Sequence, residues 1–146
     1  MTSLYSWLLF THLTSLAVFL FAHGISAVAA FAARSNLTDS RWILQISQRS
    51  WFVAGPAILL LIASGIWMGF MGSWWGRGGW IWASIIVLVA LIVSMNFLSR
   101  PFYQARSSSN DEEYKARLAS ANPMAMTWAA VVGIVVILFL MVFKPF

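Results

Sequence analysis

The run from Trp7 to Ala33 contains no Asp, Glu, Lys or Arg. It is long enough to cross a bilayer as a helix, and so long an uncharged apolar segment restricts the chain to membrane architectures. No Lys or Arg precedes Trp7, and the run is longer than the apolar core of a secretory signal. We therefore expect a retained membrane span rather than a cleaved signal peptide.

Three further apolar segments follow the first. The four predicted spans are about 7–33, 51–70, 80–98 and 126–143. Of the 146 residues, 61% are hydrophobic and 9% charged, whereas about a quarter of a soluble domain is charged. Because lipid leaves no solvent for unpaired backbone groups, the spans are expected to be helices. The sequence predicts an all-α polytopic protein, a four-transmembrane-helix bundle forming a single membrane domain over 1–146.

Basic residues are distributed unequally between the two sides of the predicted membrane. Loops 34–50 and 99–122 contain Arg34, Arg41, Arg49, Arg100, Arg106, Lys115 and Arg117, whereas the other side contains Arg77 and Lys144. The positive-inside rule makes those two loops cytoplasmic and both termini extracytoplasmic. Topology and anionic lipid thus explain the net charge of +5 without nucleic acid as a partner.

The first basic loop contains signals for a helix. Thr38 or Asp39 can cap a helix that carries Trp42 on its apolar face. Two interpretations are open: a short interfacial helix, or an inward extension of the second span that Gly55-Pro56 would kink.

The second basic loop predicts a short surface helix. Ser109 or Asn110 precedes three acids, and Glu113 and Arg117 have the i,i+4 spacing of a helical ion pair. We interpret the acids as a solvated charge run rather than as acid–base catalysts, and we identify no catalytic residue. Asn122 followed by proline resembles a cap that opens the fourth span.

Both histidines of the chain, His12 and His23, lie in the first span. Eleven residues apart on a helix, they differ by about 20° around its axis and about 16 Å along it, too far to share one metal. Ionisable groups at membrane depth are costly and indicate function. Neutral imidazole binds haem iron and copper, so both histidines are candidate cofactor ligands. The alternative is that each packs against a neighbouring helix through a hydrogen bond.

Methionines near the outer boundary supply candidate second ligands for His12. They are Met68, Met71 and Met141, and the predicted metal site comprises His12, Met68 and Met71. Methionine also fills gaps in packed helices without binding anything. Asn96, at the inner end of the third span, is expected to form an interhelical hydrogen bond.

Three stretches resemble a group of four-helix bacterial membrane proteins over roughly residues 8 to 100. They are His12-Leu13 with Gly24, then Ser64-Gly65-Ile66-Trp67-Met68, then Gly79-Trp80-Ile81-Trp82. The group includes an uncharacterised integral-membrane family, which the chain resembles most closely. It also includes the membrane domain of the copper-resistance protein D type and the haem-dependent protoporphyrinogen oxidase.

The resemblance implies a bacterial cytoplasmic (inner) membrane protein and, from the oxidase branch, a haem-associated histidine at His12. The oxidase branch has a lysine where this chain has Ser84 and tends to have a histidine where it has Trp82, and its Pro-Arg signature ending the first span is missing here. These departures argue against the oxidase activity. His23 corresponds to no position in any branch.

Two functions follow as hypotheses. The first is a small haem- or copper-binding membrane protein linked to electron transport, with haem b as cofactor, copper as the alternative and no cofactor as the third case. The second is a non-catalytic accessory subunit that packs on a larger respiratory or photosynthetic complex. The expected partners are the lipid bilayer and either further copies of the chain or such a complex.

Overall fold

A computed structural model describes residues 2–35, 41–76 and 78–145, which form helices joined by short connections. The helices are α1 (Thr2–Ser35), α2 (Arg41–Met71), α3 (Gly79–Ser107), α4 (Asp111–Ser120) and α5 (Pro123–Phe143). Four of them are long and apolar enough to cross a membrane: α1, from Ser3, together with α2, α3 and α5. The all-α class and the four membrane-spanning helices are confirmed.

The four long helices form two antiparallel pairs. Helix α1 packs against α2 along most of its length, and α3 packs against α5. Contacts between α1 and α5 join the pairs, whereas α2 and α3 meet at only a few of their described residues. The bundle is therefore open along the α2–α3 side.

Each long helix extends beyond the span predicted for it. The segment from Arg41 to Ser50 is the beginning of α2, which favours the inward extension over a separate interfacial helix. Pro56 lies inside α2, where its ring removes one backbone donor from the helix. The predicted caps Thr38 and Asp39 lie outside the described residues.

Capping residues begin α4 and α5 as the sequence predicts. The Asn110 side chain accepts a hydrogen bond of 2.9 Å from the Glu112 backbone N–H. The Asn122 side chain accepts one of 3.0 Å from Ala125, with proline next in the chain. These bonds satisfy backbone donors that have no partner in the first helical turn.

A compact hydrophobic core lies at the end of the molecule that carries the two basic loops, here called the basic end. It brings together residues from all five helices and their connections: Ala30, Ala33, Leu44, Phe102, Ala105, Tyr114, Leu118 and Ala121, with Met126 packed against them. Tyr114 is 2% and Leu118 0% exposed. Helix α4 therefore docks on the long helices through these two side chains.

Aromatic rings collect at the opposite end, here called the aromatic end. Trp74 lies 6.4 Å from Tyr5 and 5.7 Å from Trp80, measured between ring centres. The Lys144 ammonium lies 4.6 Å from the Trp74 ring centre and 5.3 Å from that of Trp80. These cation–π contacts attach the end of α5 to the α2–α3 turn.

The prediction for Asn96 is wrong. Its side-chain amide donates a 2.9 Å hydrogen bond to the Ile92 carbonyl of its own helix, and the residue is exposed. The carbonyl one turn earlier is always within reach, so an amide facing away from neighbouring helices bonds locally.

Candidate functional site

His12 lies on α1 and is held by α2. Its Nδ1 lies 2.9 Å from the Leu61 carbonyl oxygen and 3.1 Å from the Ser64 hydroxyl. The imidazole is half-buried, and Ser64 is buried. The His12 imidazole, in the N-terminal half of α1, is thus fixed in orientation by the neighbouring helix.

These contacts determine which ring nitrogen of neutral His12 carries the proton. A carbonyl oxygen can only accept, so Nδ1 beside the Leu61 carbonyl must be the donor. The Ser64 hydroxyl donates to the Leu60 carbonyl at 2.6 Å, which leaves its lone pairs to accept from Nδ1. Nε2 therefore carries the lone pair, and it has no hydrogen bond to any described residue.

Gly65 provides the space into which the His12 ring fits. A Cβ placed on Gly65 would lie 3.1 Å from Cε1 and 3.4 Å from Nδ1 of His12. Ser64 and Gly65 thus act together, because the serine supplies an acceptor and the glycine allows the ring to approach the α2 backbone.

The predicted thioether ligands differ in burial. Met68 is 6% exposed, whereas Met71 is 37% and Met141 38% exposed. Met68 follows Ser64 by one helical turn, about 6 Å along the axis. Met68 thus lies one turn along α2 from the serine that contacts His12.

His23 has different surroundings. Its ring stacks on Phe19, one turn earlier on α1, with ring centres 5.8 Å apart and planes 18° from parallel. The imidazole is half-buried, and neither ring nitrogen is hydrogen-bonded to a described residue. The two histidines are therefore inequivalent: α2 orients His12, and an aromatic neighbour on α1 itself supports His23.

Small residues bring α1 close enough to α2 to make the His12 contacts. The Ser26 and Ser50 hydroxyls lie 2.6 Å apart across the pair, and Ser50 also donates to the Ser47 carbonyl. Ala22, Ala29 and Ala54 are buried. Short side chains let helix backbones approach in lipid, so this packing fixes the level at which His12 meets α2.

The donors available for a metal are few. Among the described residues, no group of three or more His, Cys, Asp or Glu side chains is positioned to hold an ion. The arrangement offers one oriented imidazole nitrogen on α1 and a buried thioether on α2, one turn from Ser64. Imidazole and thioether are donors that haem iron and copper accept.

Ser64 and Gly65 belong to the Ser64-Gly65-Ile66-Trp67-Met68 stretch that carries the family resemblance, but their contact with His12 was not predicted from the sequence. A polar residue next to a glycine within a span was the available signal. The Leu61 carbonyl could not be predicted as the acceptor, because every residue has a backbone carbonyl.

The chain was also compared with known proteins. Residues 6–145 match the family described as "Predicted integral membrane protein (DUF2269)". No curated protein and no solved structure is significantly similar to the chain. A match over nearly the whole length, together with four membrane-spanning helices, shows that the chain belongs to this DUF2269 family of integral membrane proteins.

Proposed function

We propose that this protein binds a redox-active metal centre within the membrane, as haem b or as copper, with His12 Nε2 as a ligand. The observation that carries the proposal is the contact of 2.9 Å between Nδ1 and the Leu61 carbonyl. Metal-binding histidines usually donate their other ring N–H to a carbonyl or carboxylate, which fixes the tautomer and orients the lone pair.

Met68 is the second ligand that best fits this proposal, since it is buried and one turn from Ser64. Histidine with methionine is a donor pair used for haem iron and for copper. When bound, the centre would supply one-electron chemistry, and the chain's own residues would hold and orient it. The resemblance to the copper-resistance protein D and protoporphyrinogen oxidase groups supports this reading. Met71 and His23 are the alternative ligands, to which loss of the metal signal in their own variants would assign the centre.

The test compares the full-length protein with His12→Gln and His23→Gln after expression with haem precursor or copper supplied. Glutamine keeps an N–H donor for the Leu61 carbonyl but lacks the imidazole lone pair, so helix packing is retained. We expect the wild type to show a Soret band or bound copper, lost in His12→Gln and kept in His23→Gln. Metal analysis distinguishes copper from haem iron.

A wild-type protein that stays colourless and metal-free under both conditions would contradict the proposal. So would a His12→Gln variant with the wild-type spectrum and metal content.

A second candidate function is that of an accessory subunit in a larger membrane complex. The open α2–α3 side of the bundle favours it, because a helix of another protein can pack there in place of lipid. Crosslinking in intact membranes followed by mass spectrometry tests this role, which predicts one recurrent partner attached to α2 or α3.

A further inference from the structure

A small pocket at the basic end is lined by polar and cationic groups. It has a volume of about 130 Å³, and its walls are Arg41, Leu44, Gln45, Arg106 and Tyr114. Two arginines and a glutamine thus line one cavity, and no carboxylate is among the lining residues that the structure describes. Such a donor set matches an oxyanion.

Arg41 is held in place by three neighbours. It donates to the Ser108 carbonyl at 2.9 Å and to an Asp111 carboxylate oxygen at 2.8 Å. Its guanidinium carbon lies 4.4 Å from the Tyr114 ring centre. Arginine has five N–H donors, so these two bonds leave donors available. Asp111 is 81% exposed at its side chain, where solvent screens its charge.

Arg106 supplies the second cation. It is half-buried near the end of α3, with its guanidinium carbon 4.7 Å from the Tyr103 ring centre. It forms no ion pair with a described acidic residue. A guanidinium that is stacked on a ring and has no carboxylate partner in the described part of the chain can present its planar fork to a phosphate group.

The pocket lies where two membrane-spanning helices end. Arg41 begins α2, and Arg106 is the penultimate residue of α3. These are also the helices that meet at few of their described residues, so the cavity lies beside the opening between the pairs. Lipid phosphates occupy this level of a bilayer, and basic pockets between helix ends bind anionic headgroups.

We propose that this pocket binds a phosphate oxyanion at the membrane surface, supplied either by an anionic phospholipid headgroup or by free phosphate. Arg106 and Arg41 bind the oxygens, Gln45 adds a neutral donor, and the Asp111 and Ser108 contacts hold Arg41 ready. The site is separate from His12, and its test does not depend on a bound metal.

The experiment uses the full-length protein in neutral detergent and measures retention of phosphatidylglycerol against phosphatidylcholine by native mass spectrometry. Arg106→Gln removes the cation that has no acidic partner among residues 2–35, 41–76 and 78–145. Arg100→Gln is the matched control, because Arg100 is exposed on the same helix and does not line the pocket. We expect Arg106→Gln to weaken phosphatidylglycerol binding about tenfold, as lost charge-assisted hydrogen bonds do, and Arg100→Gln to change it little.

Equilibrium dialysis with inorganic phosphate distinguishes the two sources. Phosphatidylglycerol retention that phosphate does not displace assigns the site to a lipid. Binding of phosphate alone, lost in Arg106→Gln, assigns it to the free anion. Gln45→Ala is the second variant, for use if Arg106→Gln fails to fold. It removes a lining donor without removing a charge, and it should weaken binding of the lipid or of the phosphate.

Equal losses of phosphatidylglycerol binding in Arg106→Gln and Arg100→Gln would overturn the proposal, since general surface charge would then explain binding. A wild type that retains both lipids equally and binds no phosphate would overturn it as well.

Discussion

At the scale of single residues, His12 shows how a polar side chain within a span can be fully specified by a neighbouring helix. Its Nδ1 has two acceptors on α2, and its Cε1 faces Gly65. One ring edge is thereby used for packing, and the other keeps its lone pair. A histidine that only joined two helices would not need a second ring nitrogen with a lone pair that is left unbonded.

Gly65→Ala tests this arrangement at its closest contact. The added Cβ, 3.1 Å from His12 Cε1, must displace the ring, which offsets the gain that alanine brings to a helix. Gly24→Ala on α1 is the control, since apart from the adjoining helix backbone no described atom lies within 4 Å of its Cβ position. In thermal unfolding in detergent, Gly24→Ala should stabilise the protein by about 0.5–1 kcal/mol, and Gly65→Ala should stabilise it less or destabilise it. Equal gains in stability for Gly65→Ala and Gly24→Ala would show that the His12 ring does not lie against Gly65.

The contacts of His12 with α2 could be predicted from the sequence only in part. The position of the histidine within a span indicated a candidate ligand, and Ser64 and Gly65 belong to a stretch that carries the family resemblance. Their pairing with His12 depends on the rotation and level of α2 relative to α1. Spans that are apolar on every side do not encode that rotation in a hydrophobic pattern.

At the scale of helices, α4 combines predictable local chemistry with a docking site that the sequence did not reveal. The Asn110 cap and the Glu113–Arg117 pair, 3.5 Å apart, follow from residue order alone. The burial of Tyr114 and Leu118 against α1, α2 and α3 depends on contacts between residues far apart in the chain. Local sequence signals therefore predict that α4 forms, whereas long-range packing determines where it docks.

Asn110→Ala should loosen α4. It removes the acceptor of the Glu112 N–H, a loss that typically costs about 1 kcal/mol. Hydrogen–deuterium exchange should show faster exchange across 111–120 and little change in α1. Ser109→Ala, at the exposed preceding residue, is the control and should leave these amides as protected as in the wild type. Unchanged protection in Asn110→Ala would mean that docking alone holds the helix.

At the scale of the whole molecule, the two ends differ in how they hold the helices together. The basic end has a buried core with α4 at its centre. The aromatic end depends on tryptophan rings and the Lys144 cation. Between them, most of the described surface of α3 and α5 is left uncovered by the chain, as expected for helices that contact lipid.

Single cysteines test the predicted orientation, because the chain contains none of its own. Gly76→Cys marks the turn at the aromatic end, and Ser109→Cys marks the exposed connection before α4. With a membrane-impermeant maleimide on intact cells, Gly76→Cys should be labelled at once and Ser109→Cys only after permeabilisation. The reverse pattern would place the basic loops outside and contradict the positive-inside prediction.

The position of α4 in the chain has a consequence for synthesis. Helices α1 and α2 leave the ribosome first, and the contacts of His12 with Leu61 and of Ser26 with Ser50 lie within that pair. The core around Ala33 and Leu44 is completed only when residues 102–121 have also emerged. The nascent chain can therefore form the His12 contacts early, whereas the pocket between Arg41 and Arg106 is completed only after the third span has been inserted and α4 has folded back.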